Sequence, residues 1–237
     1  MDEAGVANRA LQLPADSIKD GISVDFVAVP WGAALGDSYY DTMLMDMSVF
    51  EAGIKAEEEG YDAVCIDTVS DSGMYALRSR LNIPVLGPGQ AAFHVACMLG
   101  HKFSVITMWD EWFHLYKKVL TEYKLESRCA SLRSINTRPD LEELLAGKEE
   151  VIFEKLEKES LRAIHEDGAD VIVLGSTTMH QSHGFLQQAL PVPVINPGLM
   201  SYKLCEIFLE TGLTHSKTAF PAPQQPNDQF ILSRVPD

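Results

Sequence analysis

"EDGADVIVLGSTT", Glu166 to Thr178, decides the fold, because the chain carries the same frame a second time. Laid under it, "EEGYDAVCIDTVS" (Glu58 to Ser70) puts Gly60 on Gly168, Asp62 on Asp170 and Thr68 on Ser176 without a gap. Further along, "IPVLGPG" (Ile83 to Gly89) lies over "VPVINPG" (Val192 to Gly198), one inserted residue later. Short apolar matches arise easily by chance. A G-x-D frame followed in the same order by P-V-x-x-P-G does not, and the pair is read as an internal repeat.

Each copy alternates strand and helix. "SVDFVAVP" (Ser23 to Pro30) and "FSVITM" (Phe103 to Met108) are predicted first strands, each followed closely by a tryptophan, Trp31 and Trp109. Helices are predicted over Asp46–Glu59 and Val151–Asp167, the second with a stripe of Ile152, Leu156, Leu161 and Ile164. "DAVCID" and "DVIVLG" are short continuous apolar runs, the pattern of parallel strands covered on both faces. A third strand ends at "PVLG" and at "PVIN", and Pro-Gly punctuates the start of a last helix, Gln90–Leu99 and Leu199–Glu210. The expected fold is α/β: two pseudo-symmetric three-layer lobes with parallel sheets and a ligand cleft between them, facing the carboxyl ends of the strands. The expected bounds are an N-terminal extension over 1–22, lobes over 23–101 and 102–212, and an extended tail over 213–237. The extension is expected to pack on the second lobe or a partner subunit. A helical turn is predicted at Asp140–Leu145, and the tail is expected to dock through Phe230–Leu232.

Composition narrows the function classes. The 237 residues are 46% hydrophobic and 22% charged, with a formal net charge of -15. That balance argues against nucleic acid and anionic membrane surfaces as partners, while leaving a local pocket free to accept a carboxylate. No stretch has a signal-peptide profile or reaches the roughly 18 apolar residues of a bilayer span, and a cytoplasmic location is expected. The four cysteines, Cys65, Cys97, Cys129 and Cys205, form no C-x-x-C pair; Cys65, Cys97 and Cys205 sit among apolar neighbours and read as buried reduced thiols. Neither a G-x-G-x-x-G turn nor a P-loop is present, so no dinucleotide or other organic cofactor is expected.

The strand-end loops supply the candidate site. Trp31, Tyr39 and Tyr40 follow the first strand of the first copy; Asp67, Thr68, Val69 and Ser70 follow its second; Trp109 follows the first strand of the second copy. In the second copy Ser176, Thr177, Thr178, His180 and His183 crowd one loop. Hydroxyls beside backbone N–H groups make an anion cradle. Asp67, at a strand end, is a candidate general base; Asp71 reads as a helix N-cap. His180 is the leading proton-transfer candidate, because imidazole titrates near neutrality. H-x-x-H at His180 and His183 lacks helical zinc-site spacing, and no metal is expected. Ser176 lacks a G-x-S-x-G elbow, which leaves a hydrolase using Ser176 or a His180-activated water as an alternative.

"DAVCIDTVSDSG" before "IPVLGPGQAA", with "ADVIVLGSTTM" before "VPVINPG", resembles the aspartate/glutamate and hydantoin racemase superfamily over roughly Val24 to Gly212. The hydantoin and allantoin racemase branch is the nearest, through Asp71–Gly73 and Leu174–Met179; arylmalonate decarboxylases and maleate isomerases are related branches. The resemblance implies two catalytic cysteines, one per lobe, that remove and return a proton. Their positions fall here on Thr68 and Ser176. An alkoxide is far harder to populate than a thiolate, so ordinary two-thiol racemisation is expected to be absent. The resemblance then implies an isomerase or lyase, of decarboxylase type among others, working on a small carboxylate, amide or cyclic imide through an enolate-like intermediate. His180 or Asp67 would move the proton. A non-catalytic small-molecule-binding protein is the remaining alternative, and a homo-oligomer is expected.

Overall fold

The structure is a computed structural model that describes residues 3–138 and 149–232; the turn predicted at Asp140–Leu145 lies outside the described residues. The chain divides into two compact units. One draws on Met1–Ile66, Asp71–Gly87 and Ser201–Asp237; the other on Asp67–Ser70 and Pro88–Met200.

The second unit is built on a four-stranded parallel sheet. Its strands are β3 (Phe103–Thr107), β4 (Cys129–Ser134), β5 (Val171–Leu174) and β6 (Val194–Ile195), in the order β4-β3-β5-β6. Every residue of β3 and β5 is buried, as their continuous apolar runs require. Side chains alternate across the pleat. Phe103, Val105, Val171 and Val173 pack with Phe93 and Ala96 of α4 (Pro88–Leu99) and with Tyr116 and Val119 of α5 (Phe113–Tyr123). Ile106, Ile172 and Leu174 pack on the other face, with Leu156 and Ala163 of α6 (Glu149–Asp167) and Leu186 of α7 (His183–Ala189). The unit is therefore three-layered. Of the predicted α6 stripe, Ile152 and Leu156 are buried in this core, and Leu161 and Ile164 pack against it.

The first unit carries a two-stranded parallel sheet, β1 (Val64–Cys65) beside β2 (Val85–Leu86), with α1 (Glu3–Ala10), α2 (Tyr39–Gly53), α3 (Met74–Arg80) and α9 (Asp228–Leu232). Both lobes thus hold a parallel sheet, as the repeat predicts. The strand expected at Ser23–Pro30 does not form. That segment exposes alternate residues, Val27 among them at 66%, and lacks the burial on both faces that β3 has.

Helices α4 and α8 (Pro197–Thr211) open on their prolines, two residues before the predicted starts, because the fixed φ of proline is already helical. Helix α8 begins in the second unit and continues into the first. The N-terminal extension is tied to that continuation. The Lys19 N–H donates to Glu206 at 2.9 Å, and the Lys203 ammonium donates to the Ser17 carbonyl. The tail is held by Thr214, His215 and Lys217 against α3 and β2, and by a 2.6 Å ion pair between Asp228 and Arg80. Asp71 does not cap α3. It sits buried in the left-handed region (φ 50°), and the residue before the helix is Gly73, whose N–H donates to Asp46 at 3.0 Å.

Candidate functional site

The site develops where β5 runs out. The Gly175 N–H still donates to the Ile106 carbonyl at 2.8 Å, so the ladder with β3 reaches this residue. A Cβ here would fall 2.7 Å from Thr107 Cβ and 2.8 Å from the Tyr116 hydroxyl, contacts that real side chains do not make. Glycine is required by close approach. The Tyr116 hydroxyl donates to the Gly175 carbonyl at 2.7 Å. Its oxygen lies 2.8 Å from Thr107 Oγ1, and since its own proton is committed, Thr107 is the donor of that second bond. Burial pushes the Tyr116 hydroxyl well above the usual tyrosine range and holds it neutral.

After Gly175 the chain turns into a short 3-10 helix, Thr177–Ser182, capped by Ser176. Ser176 Oγ accepts from the Thr178 N–H at 3.2 Å and lies 2.7 Å from Thr178 Oγ1. Ser176 therefore serves as an N-cap, and its hydroxyl meets no imidazole among the described residues. Thr177 is buried, and its hydroxyl donates to the Asp67 carbonyl at 3.1 Å. That bond joins the two polar loops, which are 110 residues apart in sequence. Asp67, Thr68, Val69 and Ser70 belong to the same unit as Ser176–His183. Val69 is buried in the core with Phe93, Val173 and Ile195, which anchors its loop; Ser70 is buried beside it, while Asp67 and Thr68 are half-buried.

His180 Nδ1 lies 3.1 Å from the Thr177 carbonyl, which can only accept. In the neutral ring Nδ1 therefore carries the proton, and Nε2, which is buried, is the acceptor nitrogen. His183 is committed differently: its Nε2–H donates to the Val194 carbonyl at 3.1 Å, tying α7 to β6. Asn196 accepts from the N–H groups of Gly198 and Leu199 at 3.2 and 3.5 Å, capping α8 beside the end of β6.

The aromatic candidates separate. Trp109 follows β3, half-buried, 6.5 Å from Trp112 in an edge-on pair, with the Arg138 guanidinium 6.0 Å from its ring centre. Trp31, Tyr39 and Tyr40 lie in the other unit. The Trp31 indole N–H donates to Glu51 at 2.6 Å; Tyr39 and Tyr40 form the first turn of α2 at 79% and 72% exposure.

No cysteine falls in either polar loop. Of the three expected to be buried, only Cys205 on α8 is: Cys65 is exposed on β1, a two-residue strand, and Cys97 is half-buried on α4, as Cys129 is on β4. Burial raises the Cys97 thiol and pushes Cys129 up to about 11, away from thiolate chemistry. Among the described residues no group of three or more His, Cys, Asp or Glu is placed to hold a metal ion, and no helix is long and apolar enough to cross a membrane. Tyr116 and Thr107 are the site-shaping residues that sequence reading missed. The spacing of Leu115, Tyr116, Val119 and Leu120 is an apolar stripe that marks α5 and points to them.

Three known proteins illustrate the likeness. A hydantoin racemase of Pseudomonas sp. (strain NS671) is 32% identical over 81% of this chain and 76% of its own length. One of Rhizobium meliloti is 35% identical over 69% of this chain and 66% of its own. The solved allantoin racemase from Klebsiella pneumoniae superposes with a TM-score of 0.86 at 26% identity, covering 95% of this chain and 91% of that one. The profile of the Asp/Glu/Hydantoin racemase family matches residues 7–205. The chain belongs to that family.

Proposed function

We propose that this protein is a cofactor-independent isomerase or lyase of the racemase superfamily that moves its proton without cysteine. Its substrate class is a small carboxylate, amide or cyclic imide with an acidic carbon next to a carbonyl, a hydantoin-type ring among them. The observation that carries the reading is the Thr177–Asp67 bond at 3.1 Å, which gathers Thr68, Ser176 and His180 into one unit where the racemase pattern expects thiols.

The chemistry follows from the groups present. His180 Nε2, the basic nitrogen once Nδ1–H is held by Thr177, takes the proton from the carbon α to the carbonyl. The electron pair moves onto the carbonyl oxygen, giving an enolate-like anion. The hydroxyls of Thr68 and Ser176 and the strand-end N–H groups donate to that oxygen. The imidazolium then returns a proton to carbon. In a decarboxylating variant of the reaction the C–COO⁻ bond breaks in place of C–H, carbon dioxide leaves, and a proton taken from solvent by His180 Nε2 is delivered to the carbon in its place. Asp67 is the second proton-transfer candidate. Trp109 offers an aromatic wall at the same strand ends, and Thr178 shares its hydroxyl with Ser176.

The test is turnover in deuterium oxide on a panel of 5-substituted hydantoins, allantoin, aspartate, glutamate and arylmalonates, with NMR reading deuterium at the α-carbon. Turnover is expected to survive iodoacetamide and to fall by about 10²–10⁴-fold in His180→Asn. Loss of turnover on alkylation, tracking Cys65 or Cys205, overturns the cysteine-free reading. Tight binding with no turnover across the panel supports a ligand-binding protein instead. The double substitution Thr68→Cys with Ser176→Cys is expected to add an alkylation-sensitive racemase activity.

A further inference from the structure

We propose that Tyr116 is a positioning residue for this reaction: its buried hydroxyl holds the Gly175 carbonyl so that the Ser176 N–H faces the site as a donor to the substrate's developing oxyanion. The proposal rests on the proton-transfer reading above.

The argument starts with the peptide between Gly175 and Ser176. It is trans, so its C=O and N–H point in opposite directions. The Gly175 N–H and carbonyl are both engaged on the β3 side, by the Ile106 carbonyl at 2.8 Å and the Tyr116 hydroxyl at 2.7 Å. The Ser176 N–H is thereby turned away from β3, towards the side of β6. The paired register of β5 and β6 ends at Val173 and Ile195, so no ladder reaches Ser176 from that side. Among the described residues no acceptor pairs with this N–H.

Three features hold the peptide in that orientation. Tyr116 is fully enclosed in the core between α5 and the sheet, so its hydroxyl cannot swing away. Thr107 saturates the phenolic oxygen at 2.8 Å, which leaves the phenolic proton for Gly175 alone. The absence of a Cβ at Gly175 lets the two side chains close on the carbonyl. A structural tyrosine needs only some acceptor for its buried hydroxyl. This one takes the last carbonyl before the candidate catalytic loop and fixes the first N–H of that loop. A donor preorganised on a rigid strand end stabilises developing charge without reorganising at the moment of reaction.

The experiment compares Tyr116→Phe with Ser104→Ala, which removes a part-buried 2.8 Å hydroxyl pair with Ser131 near the start of β3, the strand that ends at Thr107. Both variants are melted to match stability loss and then assayed on whichever panel substrate the wild type turns over. Tyr116→Phe is expected to lower kcat at least about tenfold with KM changed less than about threefold, and Ser104→Ala to leave kcat within about twofold. In parallel, the Ser176 amide is followed by ¹⁵N–¹H NMR while hydantoin is titrated. The wild-type resonance is expected to shift, and the Tyr116→Phe resonance to respond weakly. Equal kcat in Tyr116→Phe and wild type, or a Ser176 amide that does not respond in the wild type, overturns the positioning role. If the wild type turns over nothing on the panel, the proposed activity fails, and the amide titration alone decides the role of Tyr116.

Discussion

Acidification from pH 7 to pH 4 is expected to loosen the C-terminal tail through one imidazole. His215 Nε2 accepts the Val85 N–H at 3.0 Å, so the ring must be unprotonated at that nitrogen for the tail to close over β2. Burial is the larger force and the neighbouring Arg78 the next; against the opposing Val85 bond they lower the ring from 6.5 to about 4. The unfolded chain therefore binds more protons than the folded one between those values. The stability that His215 contributes is complete above about pH 6.5 and is lost as pH falls towards 4. A shift of that size corresponds to at most roughly 3 kcal/mol, and screening of a half-buried ring reduces it to about 1–2 kcal/mol. Urea midpoints at pH 7, 6, 5 and 4 would be compared for wild type and His215→Gln, whose amide oxygen accepts from Val85 without titrating. Carboxylates held low by arginine partners, such as Asp167 beside Arg133, weaken both proteins in acid and cancel in the difference. The wild type is expected to lose about 1–2 kcal/mol more than the variant across this range. Parallel pH profiles would refute the reasoning.

Gly175→Ala is expected to destabilise by about 1–3 kcal/mol, because its Cβ must displace Thr107 or the Tyr116 hydroxyl from a close-packed core. Thermal melts measure that loss, and turnover is expected to fall with it; an unchanged melting temperature contradicts the close-approach argument. Phe93→Ala removes a fully buried ring stacked 5.2 Å from Phe103 and is expected to cost about 3–5 kcal/mol, read as a lower urea midpoint. A loss below about 1 kcal/mol would mean the core between α4 and β3 collapses into the space.

Strand β5 was legible because "VIVL" is apolar at every position, the signature of burial on both faces. Strand β4 was not, although it belongs to the same sheet. It is an edge strand, half-buried throughout, and half of its sequence "CASLRS" is polar. Ser131 pairs with Ser104, and Arg133 pairs with Asp167 at 2.5 Å, so long-range partners stand in for an apolar run. The reverse holds at Ser23–Pro30, whose apolar residues suggest a strand although the chain joins no sheet there. In the site, the two loops were legible as a pair through the repeat. The different duties of their histidines were not. His180 and His183 look alike in sequence, yet one is held by its own loop and the other by the end of β6.

The sequence by itself determined the repeat, the α/β rhythm, the hydroxyls at Thr68 and Ser176, and the four cysteines outside both loops. These are local properties, written in composition and spacing. Only the tertiary structure decided that Asp67–Ser70 shares a unit with Ser176–His183, that the His180 proton sits on Nδ1, and that Tyr116 closes on the Gly175 carbonyl. Each depends on hydrogen bonds or packing between residues brought together by the fold. Chain spacing does not encode which carbonyl a hydroxyl will reach once the strands are laid side by side.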